Sequence, residues 1–110
     1  MKTIAFALSA TLLLASTIHA QSSRTYVGVI TDTMCGRDHA MMKITPDSKC
    51  VLECVRSSKT VKFALLEGTN VYTLSDQETP AKFAAQKVKV TGVLNEKTRI
   101  LKVEKIEAAN

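Results

Sequence analysis

Four residues with metal-binding or redox-active side chains lie close together in the chain: Cys35, His39, Cys50 and Cys54. Within each of two pairs, Cys35 with His39 and Cys50 with Cys54, the positions are i and i+4, so in a helical turn each pair would share one face. Three thiolates and one imidazole make a complete tetrahedral ligand set for zinc. The sequence therefore predicts a Cys3His metal site as one use of this group.

Copper is the alternative to zinc. Met34, Met41 and Met42 lie in the same segment, and thioether and thiolate sulfurs together favour copper(I) over hard cations. The spacing does not identify the metal, because zinc fingers usually have two residues between paired cysteines and this chain has three. For each methionine, hydrophobic packing is the competing interpretation.

A disulfide is the second use of the cysteines. In a helix, side chains at i and i+4 hold their Cβ atoms about 5 to 6 Å apart, whereas a disulfide requires about 3.8 Å. A bridge between Cys50 and Cys54 would therefore be strained, and the favoured bridge joins Cys35 to Cys50 or to Cys54. It would stabilise a small domain by about 2 to 4 kcal/mol and would leave one thiol for a reactive, intermolecular or metal-binding role.

The first twenty residues have the pattern of a cleaved signal peptide. Met1 and Lys2 precede an apolar stretch from Ile4 to Ile18, and Ala20 is a small residue before the expected cleavage point. We expect a periplasmic or secreted protein with no membrane span after cleavage, because the apolar stretch is shorter than the roughly 20 residues that a spanning helix needs. Residues 21–24 are then a flexible lead, and residues 25–110 form one domain with a Cys/His segment at 32–58.

Alternating apolar and polar residues predict five strands and two hairpins. Gly28 is expected at a bulge or at a close approach of two backbones. In the last strand, Ile106 falls on the opposite face from Leu101, so a bulge or a fraying end is expected there. The predicted strands are Tyr26–Thr31, Val61–Leu66, Val71–Leu74, 87–94 and Ile100–Ile106.

Two helices are predicted between the strands. One begins with Asp47 or Ser48 as its N-cap and continues to about Ser57, with a buried stripe formed by Cys50, Val51, Cys54 and Val55. The other is short, with Thr79 as N-cap and Pro80 at the first helical position. This element order predicts a mainly β, five-stranded barrel like that of oligonucleotide/oligosaccharide-binding (OB) proteins, with the cysteine helix inserted after the first strand. A small open sheet packed on one helix is the alternative.

The sequence does not favour an enzyme. It contains neither a C-x-x-C redox motif nor a C-x-x-C-H haem attachment site. Asp32 and Asp38 lie near Cys35, where their negative charge would raise the pKa of the thiol and so oppose its activation. A non-enzymatic role is therefore expected.

The positive charge of the chain gives little support to nucleic-acid binding. The formal net charge of +5 is spread along the chain, there is no Trp, and aromatic residues make up 5%. If the barrel face does bind an oligosaccharide or a nucleic acid, the residues expected to contact it are Tyr26, Lys62, Tyr72, Lys87 and Lys89.

Several segments together resemble a group of small exported bacterial proteins, known as a domain of unknown function with an OB-like core. The resemblance covers residues 25 to 107. It implies the OB-like fold but no particular activity. The matching segments are 28–36 (GVITDTMCG), His39, 50–55 (CVLECV), 62–65 (KFAL), 71–74 (VYTL) and 88–92 (VKVTG).

The sequence thus predicts an exported, non-enzymatic binding or accessory module of the bacterial envelope, which recognises an envelope partner or a small ligand. In this interpretation the cysteine segment is a disulfide staple. The first alternative is a zinc-binding, copper-binding or thiol redox-responsive protein that uses the four Cys and His residues. The second alternative is oligosaccharide or nucleic-acid binding on the barrel face.

Overall fold

The computed structural model describes residues 22–38 and 46–109. The predicted signal peptide and the middle of the Cys/His segment, with His39, Met41 and Met42, lie outside the described residues. The fold is mainly β and contains five strands, as predicted. These are β1 (Arg24–Asp32), β2 (Phe63–Glu67), β3 (Asn70–Leu74), β4 (Lys87–Asn95) and β5 (Ile100–Ala108).

The five strands form one sheet that closes on itself in a ring, in the order β1-β2-β3-β5-β4. Neighbouring strands are antiparallel except β3 and β5, which run parallel. The parallel contact is short, since only Thr73 with Ile100 and Leu74 with Leu101 are in register. A closed ring leaves no long sheet edge exposed for pairing with another chain.

Alternation of side chains along the strands explains the core. In β4, Val88 and Val90 are fully buried while Lys87 and Lys89 are exposed. Successive side chains of a strand point to opposite faces, so one face of each strand fills the interior of the ring. The main core cluster comprises Tyr26, Ile30, Val51, Phe63, Leu65, Tyr72, Leu74, Ala84, Val88, Val90 and Leu101.

Strand β1 changes partner along its length, and Gly28 lies near this change. Its first half pairs with β4 and its second half with β2, and Val29 takes part in both registers. A Cβ atom built on Gly28 would overlap the backbone carbonyl oxygen of Leu66. The expected close approach of two backbones at Gly28 is therefore confirmed.

The expected bulge in the last strand is also confirmed. Thr91 of β4 lies opposite Lys105, but the next residue, Gly92, lies opposite Val103. Glu104 is the extra residue, and it shifts the alternation of β5 by one position. This shift lets Leu101 and Ile106 both pack on the core, although their spacing in a regular strand would place them on opposite faces.

A 3₁₀ helix at Thr79–Phe83 connects β3 to β4. The prediction that Thr79 caps it was wrong, because Glu78 occupies the N-cap position. The side chain of Asp76 instead accepts hydrogen bonds from the backbone N–H groups of Glu78 (2.9 Å) and Thr79 (3.0 Å). Partial burial opposes ionisation of Asp76, but hydrogen bonds from Thr79 and Glu78 outweigh it and lower the pKa of the carboxyl group.

Helix α1 (Asp47–Ser57) lies between β1 and β2 in the chain. The prediction of Asp47 or Ser48 as its N-cap was wrong, because Pro46 holds that position in an extended conformation. The carbonyl of Pro46 accepts hydrogen bonds from the N–H groups of Lys49 (3.0 Å) and Cys50 (3.2 Å). Proline at this position gives the helix a start without a side-chain hydrogen bond.

The buried face of α1 is formed by Cys50, Val51 and Cys54. Val55, which was predicted to be buried, is only half-buried but packs against the core. The helix therefore places two of the three cysteines against the protein interior.

Among residues 22–38 and 46–109, no helix is long and apolar enough to cross a membrane.

Candidate metal centre

A tight turn after β1 positions Cys35. Oδ1 of Asp32, the last residue of β1, accepts hydrogen bonds from the N–H groups of Met34 (2.9 Å) and Cys35 (2.7 Å). The N–H of Gly36 donates to the Asp32 carbonyl (2.9 Å), and Gly36 has a φ of 52°, which is left-handed and favours glycine. The Asp-x-x-Cys-Gly sequence is thus explained locally, as an aspartate-anchored turn that presents a cysteine.

Helix α1 positions the other two cysteines. Cys50 and Cys54, one helical turn apart, are both buried, with 0% and 3% of their surface exposed. They form a second, smaller core cluster with Val61, and the half-buried Cys35 packs against it. The cysteine side chains on one face of the helix therefore pack against the cysteine in the turn after β1.

The three sulfur atoms converge. The Sγ atom of Cys35 lies 3.7 Å from that of Cys50 and 3.5 Å from that of Cys54, and all three Sγ atoms lie within 4.8 Å of one another. With zinc to sulfur bonds of about 2.3 Å, two sulfurs of a tetrahedral site are about 3.8 Å apart. Only small side-chain movements would be needed to bring the triad to the geometry of a metal site.

The structure describes these cysteines as free thiols. No pair of described cysteines is at the sulfur separation of a disulfide, which is about 2.0 Å. The favoured bridge from Cys35 to Cys50 or Cys54 therefore stays a prediction. Cys35 is the common neighbour of both helix cysteines, and it is the residue that any such bridge would need.

The surroundings raise the pKa of two of these thiols, those of Cys35 and Cys54. Burial is the largest cause of the raised pKa of Cys35, followed by hydrogen bonding with Cys54 and Cys50 and by the negative charge of Asp32. Burial also raises the pKa of Cys54, where the hydrogen bond with Cys35 acts in the opposite direction and the charge of Asp32 adds to the rise. Such thiols are poor nucleophiles at neutral pH, but a bound cation would favour their deprotonation.

We expect alkylation of the metal-free protein by iodoacetamide to be slow at pH 7. A raised pKa means that less thiolate is present at a given pH, so the rates at Cys35 and Cys54 should still be rising at a pH where free cysteine has levelled off. The measurement is the rate at each cysteine against pH, followed by mass spectrometry of peptides. The denatured protein is the control. A raised pKa moves the midpoint of the rate profile to higher pH, whereas restricted access lowers the rate at every pH without moving the midpoint. Midpoints equal to those of the denatured protein would contradict the expectation.

Not every predicted ligand of the site can be placed. His39, Met41 and Met42 lie outside the described residues, so the predicted Cys3His set and the methionine contribution stay predictions. Met34 lies in the turn after β1 and is 55% exposed.

The two tyrosines that were predicted to contact a ligand are largely buried, and their role in ligand binding stays a prediction. Tyr26 and Tyr72 are each only 6% exposed, and their rings pack edge to face with centroids 6.0 Å apart. The guanidinium groups of Arg24 and Arg99 lie 5.7 Å and 4.8 Å from the Tyr26 and Tyr72 ring centroids, respectively. Both rings belong to the main core cluster, so little of either ring is accessible for stacking with a ligand.

The predicted lysines, in contrast, are exposed. Lys87 and Lys89 lie on the outer face of β4, and Lys62 directly precedes β2. Their role in ligand binding stays a prediction. With the tyrosines buried, the pattern of aromatic and basic residues expected for a nucleic-acid surface is incomplete.

We compared the chain with protein-family models, curated proteins and solved structures. None of them matches. The resemblance to small exported bacterial proteins therefore remains an expectation from the sequence.

The sequence patterns did not reveal the structural role of Asp32. Its position near Cys35 indicated only an effect of its charge on the thiol. In the structure its side chain also accepts the hydrogen bonds that hold the turn carrying the thiol. An aspartate followed by a Gly four residues later, just after a strand, was the available signal for this turn.

Proposed function

We propose that the protein binds a soft metal ion, zinc or copper(I), through Cys35, Cys50 and Cys54. The observation that supports this proposal is the convergence of three sulfur atoms from two separate elements, with Sγ separations of 3.5 and 3.7 Å from Cys35. Hydrophobic packing alone does not require three cysteines to meet. Three thiolates at this separation are a strong ligand set for either ion.

The ligands are held by rigid parts of the molecule, which favours tight binding. Cys50 and Cys54 are fixed by the backbone of α1, and Cys35 is fixed by the turn that Asp32 anchors. Little conformational entropy would be lost when an ion binds, because the side chains already lie together. Burial of both helix cysteines also limits the access of water to their sulfur atoms.

In this proposal the ring of strands is a scaffold. We propose that it is an OB-like barrel, since it has five strands and is closed by a parallel contact of only two residue pairs, as in a partly open barrel. We also propose that the protein is exported, to the periplasm or beyond the cell, and that it acts without catalysing a reaction. The signal-like residues 1–20 support export, and the raised pKa values of the Cys35 and Cys54 thiols support a non-catalytic role.

A second candidate function uses the same residues as a disulfide staple or a redox-responsive pair. It is favoured by one observation, the 3.5 Å separation of the Cys35 and Cys54 sulfur atoms. Oxidation would join Cys35 to one helix cysteine and tie the turn after β1 to α1. An exported module stapled in this way would meet its partner or ligand elsewhere on its surface.

The test is the intact mass of the protein, purified without chelator and measured under native and denaturing conditions. Metal binding predicts one zinc or copper ion per chain in the native spectrum, with all three thiols present after denaturation. A staple predicts no metal and a denatured mass lower by two hydrogens. The second result would contradict the proposed metal site.

Matched variants on α1 make the test specific. Cys54→Ser removes a ligand, whereas Val55→Ser introduces the same polar group at the neighbouring, half-buried position. We expect Cys54→Ser to lose the metal and Val55→Ser to retain it, even if both are less stable than the wild-type protein. Equal metal content in the two variants would show that Cys54 is not a ligand.

A further inference from the structure

We propose that Asp32 is a specificity-determining residue that shifts the relative affinity of the three-cysteine site toward divalent and away from monovalent cations. This inference rests on the proposed metal binding by Cys35, Cys50 and Cys54. It goes beyond that proposal because it assigns a role to a residue that need not touch the ion.

The position of Asp32 is well defined. Its side chain is fully buried, with 0% of the residue exposed, at the point where β1 ends. Oδ1 is 2.7 Å from the backbone nitrogen of Cys35 and 2.9 Å from that of Met34. These two hydrogen bonds fix the position of the Asp32 side chain relative to the turn that carries the thiol.

The carboxyl group of Asp32 lies beside the turn cysteine. Its Oδ1 accepts a hydrogen bond from the backbone N–H of Cys35 (2.7 Å), and the Cys35 sulfur is within 3.7 Å of both helix sulfurs. The charge of the carboxylate would act on any ion bound between these sulfurs, and a buried location weakens its screening by water and salt.

The divalent and the monovalent complex differ in net charge. Three thiolates with a divalent ion have a net charge of −1, and three thiolates with a monovalent ion have a net charge of −2. A nearby carboxylate repels the second complex more than the first. If both ions bind the same three thiolates, the same number of protons leaves the site, so proton release cancels in the comparison.

The two complexes differ by one unit of charge, and this difference sets the size of the change in the affinity ratio. For charges several ångströms apart, with the effective dielectric constant of about 20 that also describes buried sites, one unit changes a ratio of affinities by about ten- to a hundredfold. Asp32 is therefore expected to shift the ratio of zinc to copper(I) affinity by about that factor. It does not have to change the absolute preference of thiolates for copper(I).

The test compares Asp32→Asn with Asp38→Asn. The first substitution removes the buried charge but keeps an oxygen that can accept both hydrogen bonds. The second removes the same charge from an exposed residue three positions after Cys35. Zinc and copper(I) affinities are measured for the wild-type protein and each variant by competition with a chelator of known affinity, all at one pH.

We expect Asp32→Asn to shift the ratio of affinities toward copper(I) by at least about tenfold and Asp38→Asn to change it by less than about threefold. Equal changes in both affinities for Asp32→Asn, or equal ratio changes in the two variants, would overturn the role of Asp32 while leaving the metal site intact. Failure of the wild-type protein to bind either ion would overturn the metal site itself. If circular dichroism shows that Asp32→Asn is unfolded, Asp32→Ser provides a second neutral variant with a hydrogen-bond acceptor.

Discussion

Replacing Cys35 with serine is expected to lower zinc affinity at least about a hundredfold while leaving the metal-free fold almost unchanged. Structural zinc sites contribute about 10 to 16 kcal/mol through four ligands, so each ligand accounts for roughly 3 kcal/mol, and 1.4 kcal/mol corresponds to a factor of ten. Cys35 is half-buried in a turn, where a serine hydroxyl has access to water. The free energy of unfolding without metal should change by less than about 1 kcal/mol.

Cys50→Ser provides the contrast. Cys50 is fully buried, and a buried hydroxyl without a hydrogen-bond partner costs about 1 to 3 kcal/mol. This variant should therefore lose both zinc affinity and metal-free stability. The measurements are zinc affinity by chelator competition and urea unfolding in the presence of a chelator. If Cys35→Ser binds zinc as tightly as the wild-type protein, the turn cysteine is not a ligand.

Replacing Gly28 with alanine is expected to destabilise the protein by about 3 kcal/mol, the upper part of the range for overpacked interiors. The new Cβ atom would overlap the carbonyl carbon and oxygen of Leu66, and backbone atoms cannot rotate away as a flexible side chain would. For a domain of this size, the melting temperature should fall by at least about 10 °C. Thermal unfolding followed by circular dichroism measures the change.

Gly68→Ala is the matched control for this prediction. Gly68 has a φ of 60°, but a Cβ built there meets nothing within 4 Å. Its substitution costs only the backbone strain of a left-handed residue, about 1 to 2 kcal/mol. If Gly28→Ala were no more destabilising than Gly68→Ala, the two strands would not be as close at Gly28 as the structure places them.

Much of the sheet could be predicted from short-range pattern. Alternation in β1 and β4 is set by the period of two in an extended chain, and the position of Ile106 predicted the bulge in β5 because a regular strand would have exposed it. The same alternation indicated that Tyr26 is buried, because it shares its face of β1 with Ile30. Residue type suggested Tyr26 as a ligand contact, whereas the alternation of β1 places it in the core.

The candidate site could be predicted only in part. The period of the helix places Cys50 and Cys54 on one face, which local pattern is sufficient to show. The approach of Cys35 to within 3.5 Å of Cys54 depends on how α1 packs against β1, and no sequence spacing determines that packing. The role of Pro46 in place of Asp47 at the N-cap was missed for a related reason, because an N-cap preference ranks residue types but does not fix where the chain enters the helix.

The parallel contact between β3 and β5 is the shortest strand contact of the ring. Two residue pairs hold it, supplemented by hydrogen bonds from Thr73 to the Arg99 carbonyl (3.0 Å) and from Ser75 to the Leu101 carbonyl (3.0 Å). The other four contacts between strands are longer antiparallel ladders. Opening this contact alone would break few backbone hydrogen bonds and leave those ladders in place, so we expect local opening of the ring to begin between β3 and β5.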